Sequence, residues 1–521
     1  MRNAKCRMQN ANLKAVFLFS FCILQSAFPA AAADALRIGR ITIESIDVYS
    51  KSEAAKGRFY RAADALHIET RDSVIRKFLL FREGDEYHPE RLAETERILR
   101  TLHFLKSASV TASEPHDGVV DILVKTQDAW SIAPETQAGN KGGESTYGAS
   151  ITDSNLLGLG KEVSLSWDKT IDRTRLAIDY QDPALNSQFW SAHLAYGHNS
   201  DGYDHRFILR RPFYSFATPW AAEVSWLAFQ QDDRIYANGR TAARFQQEHK
   251  MIVLDYGSAL HPNDVRANRI TGGIRFIDDE FSSVAADHHF RYLFARWDKV
   301  ENEFVKLNFV NKDLRYEDFN LGEQTSIETA LARNAGYVRA STASGHAFGP
   351  SSFIAPFAAV ESRFESGPQN SIATGSMLFV SRYGDEHPQA TVARMVMNYG
   401  WRLDRQLQFF ADGFTGLRGY RVHAFAGSRA VVMNAEQRLY LGREILQLAS
   451  PAIVAFADAG NATDGGFTTL MRLKSDVGIG IRIGLPRTPK NLLRIDLAYA
   501  LQRDARGHKG LLLSVSSGQA F

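Results

Sequence analysis

The sequence predicts a mainly β protein, with a C-terminal transmembrane antiparallel β-barrel behind a small α+β domain. Three observations carry this. From about residue 137 to the end, apolar and polar residues alternate with period two over roughly 380 residues, with no intervening helical pattern. Beyond the N-terminal leader no stretch approaches about 18 consecutive apolar residues, which excludes a helical membrane protein. Six of the seven tryptophans (Trp167, Trp190, Trp220, Trp226, Trp297, Trp401) fall in the alternating half, as interfacial girdles require. Arg and Asp also recur on its polar face, where the dry core of a soluble sandwich would penalise them.

The leader comes first. Lys5, Arg7 and Lys14 precede an apolar run over 16–27, followed by Pro29 and the small residues Ala31, Ala32 and Ala33 before Asp34. This reads as a secretory signal peptide over 1–33, cut after Ala33, because the run is well short of the roughly 20 residues a spanning helix needs. Cys6 and Cys22 both lie within it, and Cys22 lacks a leucine-led lipobox, so no disulfide is expected in the mature chain. Losing four basic and no acidic side chains turns the net charge of +3 to −1, and no nucleic-acid partner is implied.

Residues 36–125 follow the order strand, two helices, two strands. Ile41, Thr42 and Ile43 open a strand, and the spacing of Val74, Ile75, Phe78 and Leu79 predicts a helix over 70–81. After the Gly84-Asp85 turn, Pro89 starts a second helix carrying Leu92, Ile98, Leu99 and Leu102 on one face. Residues 108–111 and 119–125 form a hairpin across 115–118. The set Glu83-Gly84-Asp85, Pro89, Leu92, Glu94-Thr95-Glu96, Leu99 and Phe104-Leu105 resembles a POTRA domain, assigned to 34–135. It departs from that pattern by an insertion at 50–69.

In the alternating half, Val163, Leu165 and Trp167 interleave with Ser164, Ser166 and Asp168; Ile479, Ile481 and Ile483 with Gly480, Arg482 and Gly484; Leu493, Ile495 and Leu497 with Arg494, Asp496 and Ala498. Five strands are legible after Arg418, starting near Arg429, Ala452, Val477, Leu492 and Gly510, and about thirteen before it, with 303–361 the most ambiguous stretch.

Five motifs then occur in order: Asp153-Ser154-Asn155-Leu156-Leu157-Gly158-Leu159-Gly160, Glu317-Asp318-Phe319-Asn320-Leu321-Gly322, Leu417-Arg418-Gly419-Tyr420, Phe456-Ala457-Asp458-Ala459-Gly460 and the terminal Phe521. Together, behind the POTRA-like segment, they resemble the BamA/TamA family of bacterial surface antigens over residues 36–521. The resemblance implies a barrel of about 16 strands over 136–521 in the outer membrane, with the N-terminal domain in the periplasm. It also implies that Arg418, Gly419 and Tyr420 tip a long loop folded into the lumen, where the arginine pairs with a wall carboxylate. Residue parity leaves two candidates on the lumen face, Asp458 first and Glu436 second, and Gly419 is expected to permit the turn. Leu511, Leu513, Val515 and Phe521 form the expected C-terminal targeting strand.

The function expected from the resemblance is insertion or translocation of polypeptides, by strand capture on the POTRA sheet and a weak seam between a first strand at 147–151 and the last at 510–521. The expected partners are unfolded outer-membrane or secreted clients, membrane lipid, and the general barrel-assembly machinery during the chain's own insertion. The alternative is a plugged or narrow diffusion channel. No cofactor is implied. An enzyme is not expected, since no Gly-x-Ser-x-Gly elbow or nucleophile pair is present. The run 458–466 lacks the spaced acids of a calcium loop and reads as a turn.

Overall fold

The computed structural model describes residues 36–519 except 51, 52, 54, 56, 58–66, 142, 143, 284, 447, 486 and 488–491. The predicted signal peptide, both cysteines, most of the 50–69 insertion and Phe521 lie outside the described residues.

The N-terminal domain comprises β1 (Arg37–Ile46), α1 (Asp72–Arg76), α2 (Pro89–Thr101), β2 (Leu105–Ala112) and β3 (Val119–Asp128). The sheet order is β1-β3-β2, with β1 parallel and β2 antiparallel to β3. Asp117 and Gly118 take positive φ (48° and 75°), the geometry of a tight hairpin turn between β2 and β3. Pro89 occupies the first turn of α2, where its missing N–H costs nothing. Leu92 and Leu99 then bury against Ile122 and Val124 of β3.

The first helix is shorter than the predicted 70–81. The α-helix ends at Arg76, and the amides of Lys77, Phe78 and Leu79 bond three residues back, to Val74, Ile75 and Arg76. Phe78 and Phe81 both lie in the domain core (each 3% exposed).

Residues 129–131 link β3 to the barrel, whose first wall is Ile132–Lys141. The barrel is closed and has 21 strand segments among the described residues. Gly336–Ala343 and His346–Gly349 both pair with Ser352–Phe364 and are two lengths of one wall, so the barrel has twenty walls. That exceeds the expected sixteen and keeps the even number that antiparallel closure demands. The extra walls precede Arg418. In the ambiguous 303–361 stretch, register places Val338, Ala340 and Thr342 on the outward face with Ile327 and Thr329, a set with little hydrophobic contrast. Wall heights are uneven: 18 and 21 residues at Trp220–Ala237 and Arg240–Leu260, but 7 at Leu511–Ser517.

Outward side chains are apolar and exposed, among them Ile479 (62%), Leu293 (67%) and Leu511 (69%), while Arg482 and Asp496 on the inner face are at most 1% exposed. An apolar band of that extent is stable only in an apolar surround. Aromatics gather at both ends: Trp190, Trp220 and Tyr256 near one mouth, Tyr399 and Trp401 near the other. Among the described residues no helix is long and apolar enough to cross a membrane.

The N-terminal domain seats on one mouth through the barrel's own turns. Ala184 and Phe189 complete the domain core beside Phe78, and Phe189 stacks on Tyr214 at 3.7 Å. Motif residues 153–160 form another docking turn: Asn155 Nδ2 donates to Thr70 Oγ1 at 2.8 Å, and a Cβ on Gly160 would sit 2.8 Å from Val74. A third contact is Phe216 N–H to Glu94 Oε1, 3.0 Å.

Burial lifts the Glu94 carboxyl to about 7 despite that hydrogen bond, with Arg97, Asp264 and Arg269 the charged groups around it. The folded state holds this proton more tightly than the unfolded chain, so the stabilisation is complete below pH 4.5 and is lost as pH rises to about 7. Thermal melts across that window should show a loss of up to about 3 kcal/mol in the wild type. In Glu94→Gln, which keeps the acceptor without the charge, the decline is expected to flatten.

Candidate functional site: a charge network in the barrel lumen

The connection 402–428, between walls Gln389–Trp401 and Arg429–Tyr440, folds back into the lumen. Its own hydrogen bonds shape it. A short hairpin pairs Phe409–Ala411 with Phe425–Gly427. Asp412 Oδ1 accepts the amides of Phe414 and Thr415, and its Oδ2 accepts that of His423. The tip is thereby tied into a compact turn carrying Leu417, Arg418 and Tyr420, all at most 2% exposed.

The structure brings Arg418 to both candidate carboxylates. Its Nε and Nη2 fork Asp458 Oδ2 and Oδ1, each at 2.7 Å, while Nη1 pairs with Glu436. The guanidinium lies 3.5 Å from the Phe456 ring centroid. Planarity, five donors and weak hydration suit arginine to this site. Asn434 Nδ2 ties the wall to the loop, donating to Asp458 Oδ1 and Gly416 O, each at 2.7 Å. Tyr420 Oη donates to Ser475 O at 3.0 Å.

Gly419 works differently from the expectation. It does not have positive φ; the left-handed position is Gly416 (126°). Gly419 is required by close approach, since a Cβ there would lie 2.6 Å from Asp476 Cβ and 3.0 Å from Ala500 N.

The site is larger than the motif. Arg438 Nη2 holds Glu436 Oε2 at 2.6 Å, Arg482 Nη1 holds Asp496 Oδ1 at 2.6 Å and reaches Glu436 with Nη2 at 3.3 Å, and Arg494 Nε lies 3.3 Å from Asp496 Oδ2. With Asp476 this makes four arginines and four acids, all at most 5% exposed by residue, on the loop and four successive walls. Sequence reasoning missed Asp476, Arg482, Arg494 and Asp496 as members. The signal was available: each alternates with outward apolar residues, and antiparallel neighbours set Asp458 opposite Asp476 and Arg482 opposite Arg494.

Of the C-terminal strand, Leu511 and Leu513 face outward and Ser514 faces the lumen. Among the described residues its register pair with the first wall is Val515 with Asn140, against seven with Leu492–Ala500. The first wall is thus Ile132–Lys141; residues 147–151 belong to the second, because β3 runs into the barrel one hairpin earlier than expected. Asp464, in the calcium-loop-like run, accepts the Ser428 amide at 2.8 Å. Among the described residues no group of three His, Cys, Asp or Glu is placed to hold a metal.

No family model and no curated protein matches the sequence. Among solved structures, the chain is similar to CdiB from Acinetobacter baumannii, at 11% identity over 93% of this chain and 74% of that one, with a TM-score of 0.48. It is also similar to CdiB from Escherichia coli (11%, 92% and 76%, 0.45) and to BamA from Haemophilus ducreyi lacking POTRA domains 1-3 (13%, 92% and 85%, 0.38).

Removing Arg418 takes the bidentate cation from buried Asp458 and one of three arginine partners from Glu436. Arg418→Ala is expected to cost about 3–5 kcal/mol in urea unfolding and to expose the 402–428 loop to protease. Arg418→Lys should rescue little, since the fork is lost, whereas Asp458→Arg should partly restore Arg418→Glu.

Proposed function

We propose that this protein is an outer-membrane barrel of the BamA/TamA type that assists insertion or translocation of polypeptides, with its N-terminal domain in the periplasm. The observation that carries the reading is the seam: among the described residues the Leu511–Ser517 strand meets the first wall at one register pair, so the wall is easiest to part there. A parted seam offers two strand edges to a client that must itself become a sheet. The serines Ser514, Ser516 and Ser517 give that strand little packing to lose.

The N-terminal sheet supports the same reading, because β2 has a strand neighbour on one side only, an edge that an extended client could join. The partners on this scheme are unfolded outer-membrane or secreted polypeptides, the lipid around the seam, and the general assembly machinery that inserts this barrel. The lumen network is architectural, and client folding in the bilayer supplies the free energy.

The diffusion-channel reading has one observation in its favour. A cavity of 760 Å³ is lined by Arg275, Phe290, Tyr292 and Arg363, and it shares Arg210 and Pro212 with a 300 Å³ cavity beside the N-terminal domain.

The deciding experiment reconstitutes the full chain in liposomes and follows protease protection of an unfolded barrel client alongside ion conductance. Client insertion is expected to exceed that of empty liposomes and to fall in Ala112→Pro, which removes a donor near the end of the open β2 edge. Steady conductance without any effect on the client would favour the channel.

A further inference from the structure

We propose that the Glu96 carboxylate latches the free edge of the N-terminal sheet, and that strand addition at this edge releases the hairpin standing in the barrel lumen. The inference rests on the strand-capture reading and adds a route from the captured strand to the lumen.

The open side of β2 is already engaged. Val110 N–H donates to Glu96 Oε2 at 3.0 Å, from α2, and by period two Ala108 and Ala112 face the same way. An incoming strand needs the Val110 donor and must displace Glu96 to have it. Burial by itself would raise the Glu96 carboxyl, but the hydrogen bonds from Lys306 and Val110 and the charges of Arg100 and Lys306 hold it below its ordinary value.

Those same partners belong to, or hold, a second element. Glu96 Oε1 accepts Lys306 Nζ at 2.8 Å and also pairs with Arg100, whose Nε and Nη2 fork Asp318 at 3.0 and 2.7 Å. Lys306 and Asp318 stand directly opposite each other in the hairpin of Phe304–Leu307 and Glu317–Asn320. Arg97 adds a third hold, 4.3 Å above the Phe304 ring.

The far end of that hairpin is in the lumen. Val310 O accepts Arg438 Nη1 at 2.5 Å and Tyr440 Oη at 2.9 Å, and Phe309 lies 5.2 Å from the Tyr440 ring. Arg438 in turn holds Glu436, the partner of Arg418. One carboxylate thus serves both the sheet edge and the grip on the lumen hairpin. Taking Glu96 off Val110 loosens Lys306 and Arg100, and linkage makes the effect reciprocal: loosening the hairpin opens the edge.

The test uses the full chain in vesicles and, as strand donor, a fluorescent peptide of about ten alternating threonines and valines with lysine ends. Lumen closure is read by maleimide labelling of Asn311→Cys, the described residues containing no cysteine. Lys306→Met, at a side chain 42% exposed, and Asp318→Ala are expected to tighten peptide binding about five-fold. Peptide should speed labelling of Asn311→Cys by a similar factor, and Ala112→Pro should abolish both effects. Equal binding by wild type and both variants, with unchanged labelling, overturns the coupling and leaves strand capture standing. No binding by any form, Glu96→Ala included, overturns strand capture and the coupling with it.

Discussion

The bidentate hold of Arg418 on Asp458 is the contact on which the barrel's interior depends. A guanidinium and the acids around it are taken out of water, and each is tolerable only while the others stay in place. The requirement reaches beyond the pair. Glu436 has to be satisfied by Arg438 and Arg482, and Asp496 by Arg482 and Arg494, so the walls from Arg429–Tyr440 to Leu492–Ala500 are committed to one register. A slip of one residue in any of them would send its charges into the apolar surround and its isoleucines into the lumen. The loop is held by the same constraint, because its tip supplies Arg418, the cation that joins Asp458 to Glu436.

A second constraint lies at the opposite mouth. The barrel turns do not merely abut the N-terminal domain; Phe189 and Ala184 are part of its core, and the Asn155 and Asp318 motifs both end on it. Of the four described motifs, two therefore anchor the domain and two build the lumen lock. That division explains why runs of such different composition occur in one chain, and why the 302–323 segment can touch both regions.

Much of this was legible in advance. Period-two alternation identifies the barrel and assigns Glu436 and Asp458 to the lumen side, since inward and outward residues differ sharply in polarity around Ile453 and Ile479. It failed where that contrast fades: the walls around Ala340 and Thr342 have weakly apolar outward faces, so the number of walls was underestimated. Helical spacing over 70–81 was read as a single helix because it reports which residues are buried, not how the chain winds between them. Gly419 was assigned a turn because glycine's two uses, unusual φ and close approach, look alike until a neighbouring wall is present. The inward hairpin at 304–320 gave no signal of its destination, since its partners lie some two hundred residues earlier, at Glu96 and Arg100.

The short link over 129–131 has a mechanical meaning. β3 is the central strand of the N-terminal sheet, and the next strand of the chain, Ile132–Lys141, is the one that among the described residues meets the C-terminal strand at a single pair. Three residues are too few to behave as a slack tether. Torque on the domain is therefore delivered to the first wall with little loss, much as a handle turns the edge of a door, and the base of that handle is braced where Trp130 N–H meets Arg487 O at 2.7 Å. A pull on the sheet would thus work the lever nearest the join that has one register pair among the described residues.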